Sequence, residues 1–108
     1  MNGAIIPVKI DGEWTVVTSG TIANATLAYW TDGQMISVYI DYRVADTNWT
    51  QIGTLPAEVR PFYTEYVQAY TDLTINGYKV YHIDKDTGAV SAKGNLGQAP
   101  IIHTYPHK

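Results

Sequence analysis

Alternation of apolar and polar positions, with turn residues between the alternating runs, is the main pattern in this chain. The clearest run covers residues 35–43, in which Ile36, Val38 and Ile40 share one face of an extended segment. Successive side chains of a β-strand point to opposite faces, so this period of two predicts strands. An apolar stripe with the helical period of 3.6 is missing throughout. The sequence therefore predicts an all-β chain.

Turn residues divide the chain into seven or eight short strands. Asp-Gly at 11–12 and 32–33, Asn-Gly at 76–77 and Asp-Thr-Gly at 86–88 are typical of tight turns or bulges. The longest predicted loop, residues 53–61, contains two prolines that fix φ and make it a stiff connection. Short antiparallel strands at this spacing indicate a sandwich or a small barrel. The predicted strands are residues 4–10, 14–18, 21–30, 35–43, 63–70, 73–84, 89–93 and 101–105.

Composition limits the partners of such a domain. The 108 residues suit one domain, and the absence of cysteine excludes disulfides and thiolate metal sites. The net charge is -3 and the seven Lys and Arg are scattered, which argues against a nucleic-acid surface and a polybasic membrane anchor. No apolar run approaches the roughly 20 residues that span a bilayer, and residues 1–10 lack the pattern of a signal peptide. We therefore expect a domain made in the cytoplasm, without nucleic-acid or membrane partners.

Catalytic patterns find little support in this sequence. There is no Gly-x-Ser-x-Gly motif, and the acidic residues are spread singly across turns, where Asp normally serves turn geometry. Metal binding through His82 and Asp84 has little support, because only these two ligands are local and no second His spacing completes a set. We expect no enzyme activity, no metal and no cofactor. A hydrolase, or the carbohydrate-binding partner of one, is a minor alternative.

The stretch Tyr-Lys-Val-Tyr-His-Ile-Asp at 78–84 is the best candidate for a binding site. On a strand, Tyr78, His82 and Asp84 share one face, where imidazole and carboxylate offer donors and acceptors to vicinal hydroxyls and the phenol ring offers a stacking surface. Nine of the thirteen aromatic residues are tyrosines, which suit wet interfaces but are also favoured in strands. Alternatively, His82 and Asp84 hydrogen-bond each other at a strand end.

Three segments resemble the C-terminal head domain of baseplate receptor-binding proteins from phages of lactococci and related Gram-positive bacteria. The first, at 38–61, reads VYIDYRVADTNWTQIGTLPAEVRP and matches a strand followed by a proline loop that ends in Arg-Pro. The second, NGYKVYHIDKDTGAV at 76–90, matches an aromatic strand with His-Ile-Asp and a short turn. The third, HTYPHK at 103–108, matches a terminal Thr-Tyr-Pro. The His-Ile-Asp motif, the turn and the terminal motif occur in the family's order.

The resemblance implies a Greek-key-like antiparallel β-barrel, assembled as a homotrimer, with a site for a host cell-wall polysaccharide. His82 and Asp84 match the residues that help to hold the sugar in the family, and His103 stands near a position that is basic in some members. Ala92 and Lys93 occupy the region where the family often has a tryptophan after the turn. Four aromatic residues are candidates to replace the missing ring: Trp49, Tyr70, Tyr78 and Tyr105.

These expectations describe residues 1–108 as one receptor-binding head domain, which would be a fragment if a stem precedes it. The domain would sit in the virion at the tail tip, bind host cell-surface polysaccharide reversibly and contact other phage baseplate proteins. Many copies on one baseplate would raise the avidity of a weak single site. The alternative function is a structural baseplate or tail module that contacts only other phage proteins.

Overall fold

Two antiparallel four-stranded sheets account for nearly all of the regular structure. A computed structural model of the chain describes residues 14–22, 24–69, 77–95, 97 and 99–108. The helical structure in these residues is a single 3-10 turn at Ala57–Val59, and none of it is long and apolar enough to cross a membrane. The strands are β1 (Thr15–Ile22), β2 (Ala25–Thr31), β3 (Met35–Tyr42), β4 (Asp46–Thr54), β5 (Glu65–Ala69), β6 (Lys79–Ile83), β7 (Ala89–Gly94) and β8 (Ile101–Pro106).

The strand order makes the described fold a sandwich. The first sheet has the order β1-β2-β3-β8 and the second has the order β4-β7-β6-β5. In the second sheet β7 returns to lie beside β4, so the strands do not follow one another in sequence order. Within the described ranges no strand pairing joins one sheet to the other, so of the two expected forms, sandwich and barrel, barrel closure is not found.

Most of the predicted strands that fall on described residues are confirmed, with small shifts at their ends. The strands predicted at 35–43, 89–93 and 101–105 correspond to β3, β7 and β8. The break predicted at 19–20 is wrong, because β1 continues to Ile22 with register shifts in its pairing to β2. The predicted strand at 4–10, the turn at 11–12 and the segment 70–76 lie outside the described residues.

β4 (Asp46–Thr54) is not among the strands predicted from the sequence. Only Ile52 of this strand is fully buried, so it lacks the apolar alternation that marks a strand in the sequence. Backbone pairing with β7 defines β4 instead, and the predicted loop at 53–61 begins inside it. The remainder of that loop is anchored by the buried side chains of Leu55 and Val59, in agreement with a stiff connection.

The core lies between the inner faces of the two sheets. β3 contributes Ile36, Val38 and Ile40 from one side, and β6 contributes Tyr81 and Ile83 from the other. In β6 these residues alternate with half-buried ones, as the period of two predicts, whereas the second half of β3 is buried on both of its faces. Three tyrosines of the described residues belong to this core rather than to a wet surface, namely Tyr42, Tyr81 and Tyr105.

Lys79 is a fully buried cation at one end of this core. Its ammonium group donates a hydrogen bond to the carbonyl oxygen of Val44 and lies 4.9 Å from the ring centroid of Tyr42. Burial lowers the pKa of Lys79, whereas the charges of Asp41 and Asp46 act in the opposite direction. The carbonyl and the ring therefore partly replace the water that this ammonium group loses on folding.

The glycine that closes the β6–β7 turn should tolerate alanine poorly. Gly88 has a φ of 77°, and a methyl group there would overlap the carbonyl oxygen of Leu55. We expect Gly88→Ala to lower the free energy of unfolding by about 1–2 kcal/mol for the left-handed backbone and by about 1–3 kcal/mol more for the overlap. Chemical denaturation measures both effects together.

Gly33→Ala is the matched control for this substitution. Gly33 has a φ of 95°, but a methyl group there would meet nothing within 4 Å. Gly33→Ala should therefore lower the free energy of unfolding only by the backbone cost of about 1–2 kcal/mol. Equal losses in the two variants would contradict the predicted overlap at residue 88.

Candidate functional site

One row of side chains crosses the outer face of the second sheet. In the strand register Tyr66 pairs with His82, His82 pairs with Ser91, and Ser91 pairs with Gln51. Directly opposed residues of antiparallel strands project to the same face. Because the inner face of this sheet is buried in the core, this row is turned away from the other sheet.

A cleft of about 290 Å³ lies on this row. It is lined by Trp49, Tyr66, His82 and Ser91. Trp49 and Tyr66 stand on β4 and β5, the two outer strands of this sheet, and form its walls. His82 and Ser91 stand on the two inner strands and form its floor. The volume is close to the lower end of the range found for small-ligand pockets, which begins at roughly 300 Å³.

The imidazole of His82 lies between two aromatic rings. Its centroid is 5.7 Å from that of Trp49, with the planes at 55°, and 4.7 Å from that of Tyr66, with the planes at 41°. Tilted ring pairs at such distances attract each other, so the two neighbours hold the imidazole in position. Trp49 is 43% exposed and Tyr66 is 68% exposed, so both rings also present apolar surface to solvent.

Lys93 supports one wall of the cleft. Its ammonium group lies 4.8 Å from the ring centroid of Trp49, which is a cation–π contact. Lys93 itself does not line the cleft, and its contact helps to hold the indole in position.

The polar atoms of the cleft are not used by the fold. In the described part of the chain, none of the side-chain polar atoms of Trp49, Tyr66, His82 or Ser91 has a hydrogen-bond partner. Together they offer an indole N–H, two hydroxyl groups and an imidazole with one donor and one acceptor nitrogen. Among the same described residues there is no group of three or more His, Cys, Asp or Glu that could hold a metal ion. The chemistry available in the cleft is hydrogen bonding and ring stacking.

Asp84 serves the turn between β6 and β7. Its Oδ2 accepts hydrogen bonds from the backbone N–H of Asp86 at 3.0 Å, the backbone N–H of Thr87 at 2.7 Å and the Thr87 hydroxyl at 2.9 Å. The bonds from Thr87 lower the pKa of Asp84 most. Its carboxylate is thus held by the turn rather than by His82, and Asp84 does not line the cleft.

His103 lies away from the cleft. Its Nε2 is 2.7 Å from Oε1 of Glu65, a contact that joins β8 of the first sheet to β5 of the second. Tyr105, on the same strand, is buried and donates a hydrogen bond to the carbonyl oxygen of Val59 at 2.6 Å. The ring of Tyr105 therefore cannot supply an exposed stacking surface.

The remaining predicted site residues divide between the cleft and other places. Trp49 and His82 are brought together, although 33 positions separate them in the sequence. Tyr78 precedes β6 and does not line the cleft, and its backbone N–H donates to the side chain of Asn95 at 2.9 Å. Tyr70 lies outside the described residues.

Sequence reasoning missed two residues of the cleft, Tyr66 and Ser91. A hairpin opposes residues at equal distances from its turn, so counting outward from the predicted turn at 86–88 sets His82 opposite Ala92, one position away from its true partner Ser91. Tyr66 could not be found in this way, since β5 and β6 are joined by a long connection. Only the folded register places Tyr66 beside His82.

The turn role of Asp84 predicts an acid-dependent loss of stability. Its pKa is lower in the folded chain than in the unfolded chain, so its contribution is present above the unfolded pKa, near 3.8, and is lost as the pH falls through the folded pKa. Asp84→Asn should retain an acceptor oxygen and flatten the fall in unfolding free energy below about pH 4. Denaturation midpoints measured between neutral and acidic pH test this expectation.

Two further variants complete the test of the turn. Asp84→Ala removes the acceptor and should lower the midpoint at every pH. Asp86→Asn is the control, because its carboxylate makes only an exposed contact with Lys85 at 3.0 Å. An unchanged acid profile in Asp84→Asn would show that the turn does not depend on this carboxylate.

Comparisons of the chain with protein-family models, with curated proteins and with solved structures give no match. The resemblance to phage head domains accordingly stays a prediction from the three sequence segments. The function of the cleft is inferred from its own residues and their geometry.

Proposed function

We propose that this chain is an adhesion domain of a phage tail that binds a host cell-wall saccharide in the cleft formed by Trp49, Tyr66, His82 and Ser91. The observation that carries the proposal is the combination of exposed aromatic rings with polar atoms that the fold leaves without partners. Sugars have the complementary character, because each ring has an apolar C–H face and a rim of hydroxyl groups. The domain binds reversibly and performs no reaction.

The residues that line the cleft contact different parts of the sugar. The rings of Trp49 and Tyr66 provide apolar faces for stacking, and their polar ends remain available to hydroxyl groups. His82 and Ser91 offer both donors and acceptors from the floor. So small a contact area favours weak binding at one site, and many copies on one virion would raise the avidity by orders of magnitude.

The scaffold holds the cleft in place before a ligand arrives. His82 and Ser91 stand on the β6–β7 hairpin, whose turn is held by Asp84. Arg60 fastens the same hairpin to the preceding loop, donating to the carbonyl oxygens of Asp86 at 2.8 Å and Leu55 at 3.2 Å. Preorganised side chains lose less conformational freedom on binding. Asp84 thereby acts on the saccharide site through the turn, as a positioning residue.

Sequence resemblance supports the phage setting, the homotrimer and the contacts with other baseplate proteins. Phe62 is 53% exposed and Tyr63 is 77% exposed, and neither lines the cleft. Exposed large apolar side chains of this kind often belong to protein interfaces. They also favour the second candidate function, a structural baseplate module whose contacts are all with other phage proteins.

The proposed assembly predicts a particle with the mass of three chains. Light scattering coupled to gel filtration should give this mass at micromolar protein concentration. Phe62→Ser combined with Tyr63→Ser should weaken the assembly if these rings lie at its interface. A single-chain mass at all concentrations would rule out the homotrimer.

Saccharide binding predicts a specific loss on truncation of the cleft. Trp49→Ala and His82→Ala should each weaken retention on cell-wall polysaccharide from lactococci by about tenfold, which corresponds to about 1.4 kcal/mol. Tyr66→Ala should have a similar effect, because it removes the other wall. Pull-down of purified polysaccharide with wild-type and variant protein measures these changes.

A matched control removes the same residue type elsewhere. His107→Ala removes a C-terminal histidine that contacts Lys108 and does not line the cleft. It should bind polysaccharide like the wild type. If the wild type and every cleft variant are retained equally on the polysaccharide, the saccharide site does not lie in this cleft. If the wild type is not retained at all, the structural module is favoured.

A further inference from the structure

We infer that the cleft takes a short, freely accessible saccharide unit, one or two sugar rings at a chain end or side branch, and excludes the flat face of an ordered glycan layer. The inference rests on the proposed function and names the class of ligand for that same site. The shape of the cleft, set by its walls and by its floor, limits the ligand to this class.

The cleft exists because one side chain in the row is small. Tyr66, His82 and Gln51 carry rings or a long amide, whereas Ser91 carries a single hydroxymethyl group. The open space therefore lies over Ser91, on an inner strand, with larger side chains on both sides. A ligand has to enter this depression to reach the serine hydroxyl and the imidazole.

The three rings of the cleft do not lie in one plane. A flat glycan layer is best matched by several coplanar rings, but the Trp49 and Tyr66 rings are tilted by 55° and 41° from the imidazole between them. A flat surface therefore cannot lie against all three rings at once.

The size of the space agrees with a small ligand. Its 290 Å³ is near the lower end of ligand pockets, which span roughly 300–1,000 Å³. One or two sugar rings are the saccharide units of suitable size. The ligand is therefore recognised by its end or branch, and it does not need neighbouring chains in register.

Filling the floor distinguishes a ligand that enters from one that rests on the walls. Ser91→Leu places a branched apolar side chain in the depression and leaves Trp49 and Tyr66 intact. Ser37→Leu is the matched control, because it makes the same substitution on β3 of the other sheet and Ser37 does not line the cleft. We expect Ser91→Leu to lose about tenfold or more in affinity for soluble fragments of lactococcal cell-wall polysaccharide, and Ser37→Leu to bind them like the wild type.

A competition assay with the wild-type protein provides the second measurement. Protein bound to intact cell walls should be released by soluble fragments of a few sugar units. If folded Ser91→Leu binds the soluble fragments as tightly as the wild type does, the inference is overturned. It is also overturned if soluble fragments fail to release the protein from cell walls and only added insoluble wall material competes. Either result leaves saccharide binding in place. No binding of the wild type to walls or fragments would overturn the proposed function, and the inference with it.

An independent readout covers the case in which Ser91→Leu does not fold. The imidazole proton resonances of His82 in the wild-type protein should shift on addition of the soluble fragments, because the ligand reaches the floor. The resonances of His107 should not shift. Fragment binding that leaves the His82 resonances unchanged would contradict entry into the cleft.

Discussion

Burial of one face of each sheet against the other is the interaction on which the rest of this structure depends. Alternate residues of β3 and β6 are withdrawn from water, and the apolar contact between the two sheets supplies most of the driving force for folding. Strand geometry then sends the intervening residues to the opposite face. An outer face of the second sheet is thereby left for polar and aromatic side chains that the core does not need.

The cleft follows from the pairing of four strands whose sequences do not resemble one another. β4 and β5 contribute the walls, and β6 and β7 contribute the floor. A slip of one residue in any strand would turn its cleft residue into the core. The same register that packs Tyr81 and Ile83 inward therefore holds His82 outward between its two aromatic neighbours.

Polar side chains of similar type have different roles according to their surroundings. The carboxylate of Asp84 accepts hydrogen bonds within the turn, and the imidazole of His103 is hydrogen-bonded to Glu65. His82 and Ser91, on the open face, have no such partners among the described residues. A group whose hydrogen bonds are satisfied within the fold stabilises the fold, whereas an unsatisfied group on a concave surface is available to a ligand.

The sequence by itself determined the all-β class, most of the described strands and which neighbours share a face with His82, because these depend on local alternation and on turn residues. It did not reveal β4, since that strand is recognisable only by its pairing with β7. Nor could it bring Trp49 and Tyr66 to His82 or separate His103 from them. Tertiary structure decided those matters, because long-range strand pairing is set by the combined burial of all strands and not by any one segment.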